Sequence, residues 1–288
     1  MYQHQTRCSV VLTVLLLLSS NIAMASANTA TTKHTLRMGV FPIVSSIALF
    51  KRFAPLKDYI EKQIGREIKL ETARDFPTFV RRTADKHYDI VITAPHFSVL
   101  AADSGDYRIV ARPKRDLVSL IVVEKNSSIN ELSQLAGKRV ATPPSPALTT
   151  RSSKDYLADK LGLKGRNAPK YQAHKSHNAA YQSTLVNNTD AAIVSINAVN
   201  KALDKGIPLR IIGKIPALPA MATLVSAQQP DPLALKVEEA LVGMEASEEG
   251  RAVLKKVGFP GYQSARLVDY EPVRPYRPAN ANIGKPKK

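Results

Sequence analysis

The 288-residue chain has one cysteine and no tryptophan. A single Cys cannot build a disulfide framework or a Cys-based zinc site. Aromatic residues make up only 6% of the chain, which leaves few rings for a sugar-stacking platform or an aromatic cage. Acids are scarce as well: 24 Asp and Glu stand against 41 Lys and Arg, for a formal net charge of +17. The runs that mark common enzyme sites are missing, namely G-x-S-x-G, H-E-x-x-H, the Walker phosphate loop and G-x-G-x-x-G. His174 and His177 are three apart, but no carboxylate or third ligand neighbours them, so neither a metal nor another cofactor is expected. Beyond the N-terminus no stretch is long and apolar enough to span a bilayer.

What is present starts with the N-terminus. Met1 to Arg7 carries one full positive charge, Cys8 to Ala23 is apolar, and small residues follow at Ala23-Met24-Ala25 and Ala25-Ser26-Ala27. This is the tripartite pattern of a secretory signal, expected over residues 1–27, with cleavage before Ser26 or Asn28. Cys8 precedes the apolar core, so it is misplaced for a lipid-attachment cysteine. Cleavage removes Arg7 as the sole charged residue and leaves a mature chain of +16 without cysteine. Such a chain suits anionic ligands or surfaces. The charge is spread without a basic stripe interleaved with aromatics, and the expected exported address argues against nucleic acid. The hydrophobic share of 44% and charged share of 23% fit an ordinary folded protein.

Strand-like and helix-like segments then alternate. Leu36 to Phe41 reads as a strand closed by Pro42, and Ile47 to Ile64 as a helix, with Pro55 marking a kink or a fresh start and Gly65 ending it. Glu67 to Thr72 alternates; Asp75 caps a helix to about Lys86; Asp89 to Thr93 is a buried strand; His96 to Ala102 is a short helix. Strands are expected at Tyr107 to Ala111, Leu117 to Glu124, Arg139 to Thr142, Tyr171 to His174, Ala191 to Val194, Leu209 to Ile215 and Ala222 to Ser226. Between them fall a short helix capped by the box Ser128 to Glu131 and helices at Thr149 to Leu161, Ser176 to Asn187 and Asn197 to Asp204. Two more close the series, Asp231 to Ala246 and Glu248 to Val257. The alternation implies an α/β protein with parallel sheets covered by helices. About ten strands are many for one open sheet, so two lobes are expected. Ligands in such folds sit where strands end and loops lead into helices.

At this level the chain resembles a known family, the periplasmic substrate-binding proteins of phosphonate/phosphate/phosphite-type ABC transporters. The resemblance is carried by Leu36 to Pro42, Pro55 to Gly65, Tyr88 to Val91 with Ala94-Pro95, Ser128 to Leu132 with Leu135 to Ala141, and His177 to Ala180 followed by Thr189 to Ala192. Their order runs from about residue 35 to 273. The resemblance implies a two-lobed type 2 periplasmic-binding fold that closes on a small anionic ligand and performs no chemistry. Each lobe is expected to be a mostly parallel sheet flanked by helices. The first lobe is expected from 34–120 and 222–273, the second from 121–221, and a basic, proline-containing tail from 274–288, docked loosely or unstructured. Crossings between lobes are placed near Ser119–Val123 and Ile215–Thr223. The implied setting is the periplasm, with a monomer that serves an ABC permease, or alternatively a membrane sensor.

Candidate ligand residues lie in loops before helices, where unpaired N–H groups and the helix dipole favour anions. Phe41, Ser45 and Ser46 lie between the first strand and helix, and the two serines suit a cap equally well. Thr93 and His96 flank Ala94-Pro95. Ser145, Thr149 and Thr150 stand where the family shows a Ser-Thr-Ser-Gly run; this chain has Ala147, Leu148, Thr149 and Thr150 there, with two hydroxyls and the glycine gone. His177 matches a ligand-contacting family histidine, and the helix start is expected to keep its imidazole neutral. Ser195 and Asn197 follow the strand ending at Val194. The acids that hold an amine in aminoalkyl-phosphonate binders are absent at Asn197 and at Ala220–Met221, which disfavours an amine-bearing ligand.

Overall fold

Residues 34–278 are described by a computed structural model; the expected signal and the end of the basic tail lie outside them. The first half of the chain opens with β1 (Leu36–Val40), α1 (Ser46–Ile64), β2 (Ile68–Glu71), α2 (Phe76–Ala84), β3 (Ile90–Thr93), α3 (Pro95–Asp103) and β4 (Tyr107–Pro113). A two-residue strand β5 (Asp116–Leu117) leads to β6 (Ser119–Glu124), β7 (Arg139–Thr142), α4 (Leu148–Leu161), β8 (Lys170–Ala173), α5 (His177–Leu185), β9 (Ala191–Ser195), α6 (Ile196–Leu203) and β10 (Leu209–Lys214). The chain returns through β11 (Leu218–Pro219) to β12 (Ala222–Ser226), α7 (Asp231–Val242), α8 (Glu248–Val257), β13 (Tyr262–Ser264) and a 3-10 segment over Leu267–Tyr276.

These strands form two sheets. The first runs β13-β4-β12-β3-β1-β2 and the second β10-β6-β9-β7-β8. In each, three strands pair in parallel, β2-β1-β3 and β8-β7-β9, because a helix carries the chain back between them. The fourth strand of each set, β12 or β6, is antiparallel and has just arrived from the other sheet. The two sheets thus exchange strands reciprocally. The links meet in a small antiparallel ribbon, with Leu117 opposite Leu218 and Asp116 opposite Pro219. Strand β6 belongs wholly to the second sheet, so the first crossing falls at Asp116–Leu117, just before the expected Ser119–Val123.

Each lobe buries apolar side chains on both faces of its sheet, which is why β3 and β9 read as continuous apolar runs. In the first lobe, Leu49, Phe53, Leu56 and Ile60 of α1 pack with Val237 and Leu241 of α7 in the core. Phe79, Tyr88 and Val99 fill the opposite face. Gly39 is required in β1: a Cβ there would stand 2.6 Å from the Tyr88 ring. The second lobe is built the same way, with Val122, Ala192 and Val194 in one core cluster and Ile121, Val140 and Ile193 in another.

Three local expectations are corrected. Helix α1 runs through Pro55 without interruption. The capping box lies at Glu131 and Gln134, not Ser128 and Glu131, because the Gln134 carbonyl reaches back to accept from the N–H groups of Asn130 and Glu131 at 2.6 and 3.1 Å. Helix α7 stops at Val242 and tightens into a 3-10 turn over Gly243–Ala246, where a single helix was expected. The start of the basic tail is ordered: Arg274 and Arg277 both hold Asp103 of α3 at 2.7 Å.

Candidate functional site

The helices that follow the parallel strands begin on one side of each sheet, and the two sets of helix starts face a common cleft of about 480 Å3. Ile43 and Val44 before α1 and Ala94-Pro95-His96 at α3 contribute from the first lobe. Ala147 to Thr149 at α4, Ser176-His177 at α5, and Ser195 and Asn197 at α6 contribute from the second. The first-turn N–H groups of a helix lack intrahelical acceptors, so the cleft is ringed by donors and by the positive ends of helix dipoles. The lobes touch across it. Leu148 of α4 is buried in the first-lobe cluster that holds Phe41 and Phe97. Arg115 donates to Asn197 Oδ1 at 2.9 Å.

Side chains add to this polarity. The Ser176 hydroxyl accepts from Ala179 N–H at 3.1 Å and so fixes the start of α5. Ser195 N–H donates to His177 Nδ1 at 3.1 Å, which leaves the ring proton on Nε2. Burial pushes the His177 imidazole down to about 4, so the ring is a neutral donor at the cleft. His96 is almost fully buried on the cleft wall, and neither ring nitrogen has a hydrogen-bond partner among the described residues. Burial, reinforced by the charge of Arg151, lowers it to about 4 as well. An unpartnered polar ring in a buried wall is costly unless something else completes it.

At the other end, Arg52 of α1 and Arg115 of the first crossing lie over the same ring, Phe259, with guanidinium carbons 5.5 and 5.8 Å from its centroid. Arg52 Nε donates to Val257 carbonyl at 2.6 Å, and Arg115 also donates to Gly258 carbonyl. Among the described residues neither has a carboxylate partner. Burial and the neighbouring Arg115 charge both lower the Arg52 pKa. Lys175 lines the cleft beside Ser176. The one acid on the wall among the described residues, Asp116, is taken up by Arg112 at 2.7 Å.

Residues 38–270, well over half of the chain, match the family described as "ABC transporter, phosphonate, periplasmic substrate-binding protein". The chain belongs to this family of phosphonate-transporter binding proteins. Members are the substrate-binding components of transporters and not enzymes. Solved structures share the two-lobed fold. PhnD1 from Prochlorococcus marinus, in complex with methylphosphonate, superimposes with a TM-score of 0.72 at 16% identity, over 84% of this chain and 96% of that one. A binding component of a phosphonate ABC transporter from Pseudomonas aeruginosa gives 0.69 at 18%, over 84% and 85%. XAC2383 from Xanthomonas citri bound to ATP gives 0.69 at 16%, over 84% and 98%.

Within this binding-protein fold the sequence-predicted residues divide. Phe41, His96, Thr149, His177, Ser195 and Asn197 line the cleft together. Ser45 and Ser46 are exposed at the start of α1, where Ile43 and Val44 take the wall instead. Ser145 is exposed outside the lining. Thr150 turns inward and donates its hydroxyl to Pro143 carbonyl at 3.2 Å. Thr93 lines a separate cavity of about 200 Å3 with Phe97, Leu100 and Tyr107. Sequence reasoning missed Arg52, Arg115, Lys175 and Phe76. Each is an ordinary residue in its local context, and only the pairing of the two sheets brings them together.

Proposed function

We propose that this binding protein captures a small phosphonate- or phosphate-like oxyanion in the interlobe cleft and delivers it, unaltered, to an ABC importer. The signal over residues 1–27 exports the chain to the periplasm, with cleavage before Ser26 or Asn28, and the mature protein works as a monomer. The supporting observation is electrostatic. Helix starts from both lobes converge on one cleft whose cations Arg52 and Arg115 have no acidic partner among the described residues. Oxyanion oxygens accept from the first-turn N–H groups of α4, α5 and α6, from His177 Nε2, and from Arg115. Ligands that bridge the two lobes favour the closed form by their differential affinity for it.

Isothermal titration of the mature chain against phosphate, phosphite, methylphosphonate, sulfate and small carboxylates tests this. Saturable binding of a phosphorus oxyanion, weakened about tenfold or more by Arg115→Ala and by His177→Ala, is expected. Silence across the panel, or binding untouched by both variants, would overturn it.

A further inference from the structure

The cleft has room for more than a bare tetrahedral anion. At ~30 Å3 per water, such an ion has the bulk of two or three waters, ~60–90 Å3. The cleft of about 480 Å3 is several times larger and falls in the range of about 300–1,000 Å3 typical of sites for larger organic ligands.

Most of the charged and hydrogen-bonding side chains follow one arc, with His96 and Thr149 outside it. It runs from Lys175 and His177 through Ser195 and Asn197 to Arg115 and Arg52. Its links are visible as bonds: His177 to the Ser195 backbone, Arg115 to Asn197, and Arg52 and Arg115 to the ring of Phe259. Another part of the lining is apolar and aromatic. Phe41 and Phe76 stack with centroids 4.5 Å apart and planes 21° from parallel, and Phe97 tilts against Phe41 at 5.3 Å. In a chain with only seven phenylalanines, four of them line this one cleft. At the edge of the aromatic wall sits His96, its ring 4.1 Å from that of Phe97 and both its nitrogens unpartnered. The wall therefore offers an aromatic face with one unsatisfied hydrogen-bonding group beside it.

We infer that the ligand is an organophosphonate or phosphate monoester carrying an aromatic ring, its oxyanion on the arc from His177 to Arg115 and its ring against Phe41, Phe76 and Phe97. This rests on the reading of the cleft as a phosphorus-oxyanion site and adds the class of substituent. Ring-on-ring contact with Phe76 and displacement of water from the apolar wall supply the preference. Asp116 is held by Arg112, so an ammonium group on the ligand would find no free carboxylate among the described lining residues and would face Arg52, Arg115 and Lys175.

Titration of the mature chain with methylphosphonate, 2-aminoethylphosphonate, phenylphosphonate and phenyl phosphate tests the inference. Phenylphosphonate or phenyl phosphate is expected to bind about tenfold or more tighter than methylphosphonate, and 2-aminoethylphosphonate weakest. Phe76→Ala should weaken the phenyl ligands about tenfold more than it weakens methylphosphonate, which erases the phenyl preference. Phe76→Tyr, which keeps the ring, should retain the preference and serves as the folding control. Arg115→Ala should weaken all the ligands alike. Methylphosphonate bound as tightly as the phenyl ligands, or a phenyl preference indifferent to Phe76→Ala, would overturn the inference while leaving the oxyanion reading intact. Failure of every phosphonate and phosphate to bind would overturn that reading instead.

Discussion

His96 and His177 make the cleft sensitive to acid. Both imidazoles are held at about 4, below the ordinary 6.5, because burial disfavours the charged ring, and at His96 the Arg151 charge adds to this. Above about 6.5 both folded and unfolded states keep the rings neutral, and the histidines contribute no pH dependence. Between about 6.5 and about 4 the unfolded chain takes up protons that the folded one refuses, so stability falls as pH drops. Melting temperatures of the ligand-free protein should therefore decline across this window. The double variant His96→Asn/His177→Asn should show a flatter profile; an identical slope would contradict the assigned environments. His177 was legible in the sequence because, one residue past the capping Ser176, it matches a ligand-contacting histidine of the family that the chain resembles. Arg52 and Arg115 were not, since nothing in their neighbours along the chain marks them as sharing a phenylalanine 144 positions beyond the second of them.

At the level of elements, the start of α5 shows how a local signal builds the site. Ser176 caps that helix and sets His177 against the backbone of Ser195. Ser176→Ala should cost about 1 kcal/mol. That corresponds to a fall of about 2–4 °C in Tm for a domain of this size. Ligand affinity should drop with it as the helix start frays, and calorimetry together with titration checks both. The long elements were legible because their periodicity is strong: α1 repeats apolar residues at helical spacing, and β3 is apolar on both faces. What stayed hidden were the segments without a period. The β5–β11 ribbon has two residues per strand, β13 has three, and the 3-10 segment over Leu267–Tyr276 carries Pro272 and Pro275, which argue against a helix. Their structure comes from tertiary partners. At the start of α4 the sequence placed Thr149 and Thr150 alike, whereas Thr149 lines the cleft and the Thr150 hydroxyl donates to Pro143 carbonyl.

For the whole molecule, closure depends on contacts that lie outside the cleft. The C-terminal 3-10 segment is tied to α3 of the first lobe through Arg274 and Asp103. Arg151 of α4, in the second lobe, reaches the end of that segment: it donates to Tyr276 carbonyl and lies 5.6 Å from the Tyr276 ring centroid. This strut joins α4 to a segment that also packs against the β5–β11 ribbon, where Tyr270 donates its hydroxyl to Ala220 carbonyl at 3.1 Å. Removing it with Arg151→Ala should shift the population toward the open form and raise Kd by about fivefold, equivalent to ~1 kcal/mol. Small-angle scattering of the ligand-free variant should show a larger radius of gyration than the wild type; equal radii and equal affinities would remove the strut from the account.

A crystal structure of the protein grown with phenylphosphonate shows whether both lobes grasp one phosphorus oxyanion between their helix starts. The phosphorus oxygens are expected within hydrogen-bond distance of His177 Nε2, Arg115 and the first-turn N–H groups of the second lobe, with the ring on Phe41 and Phe76. A saturated crystal with the ligand elsewhere on the surface, or with an empty cleft, would contradict it.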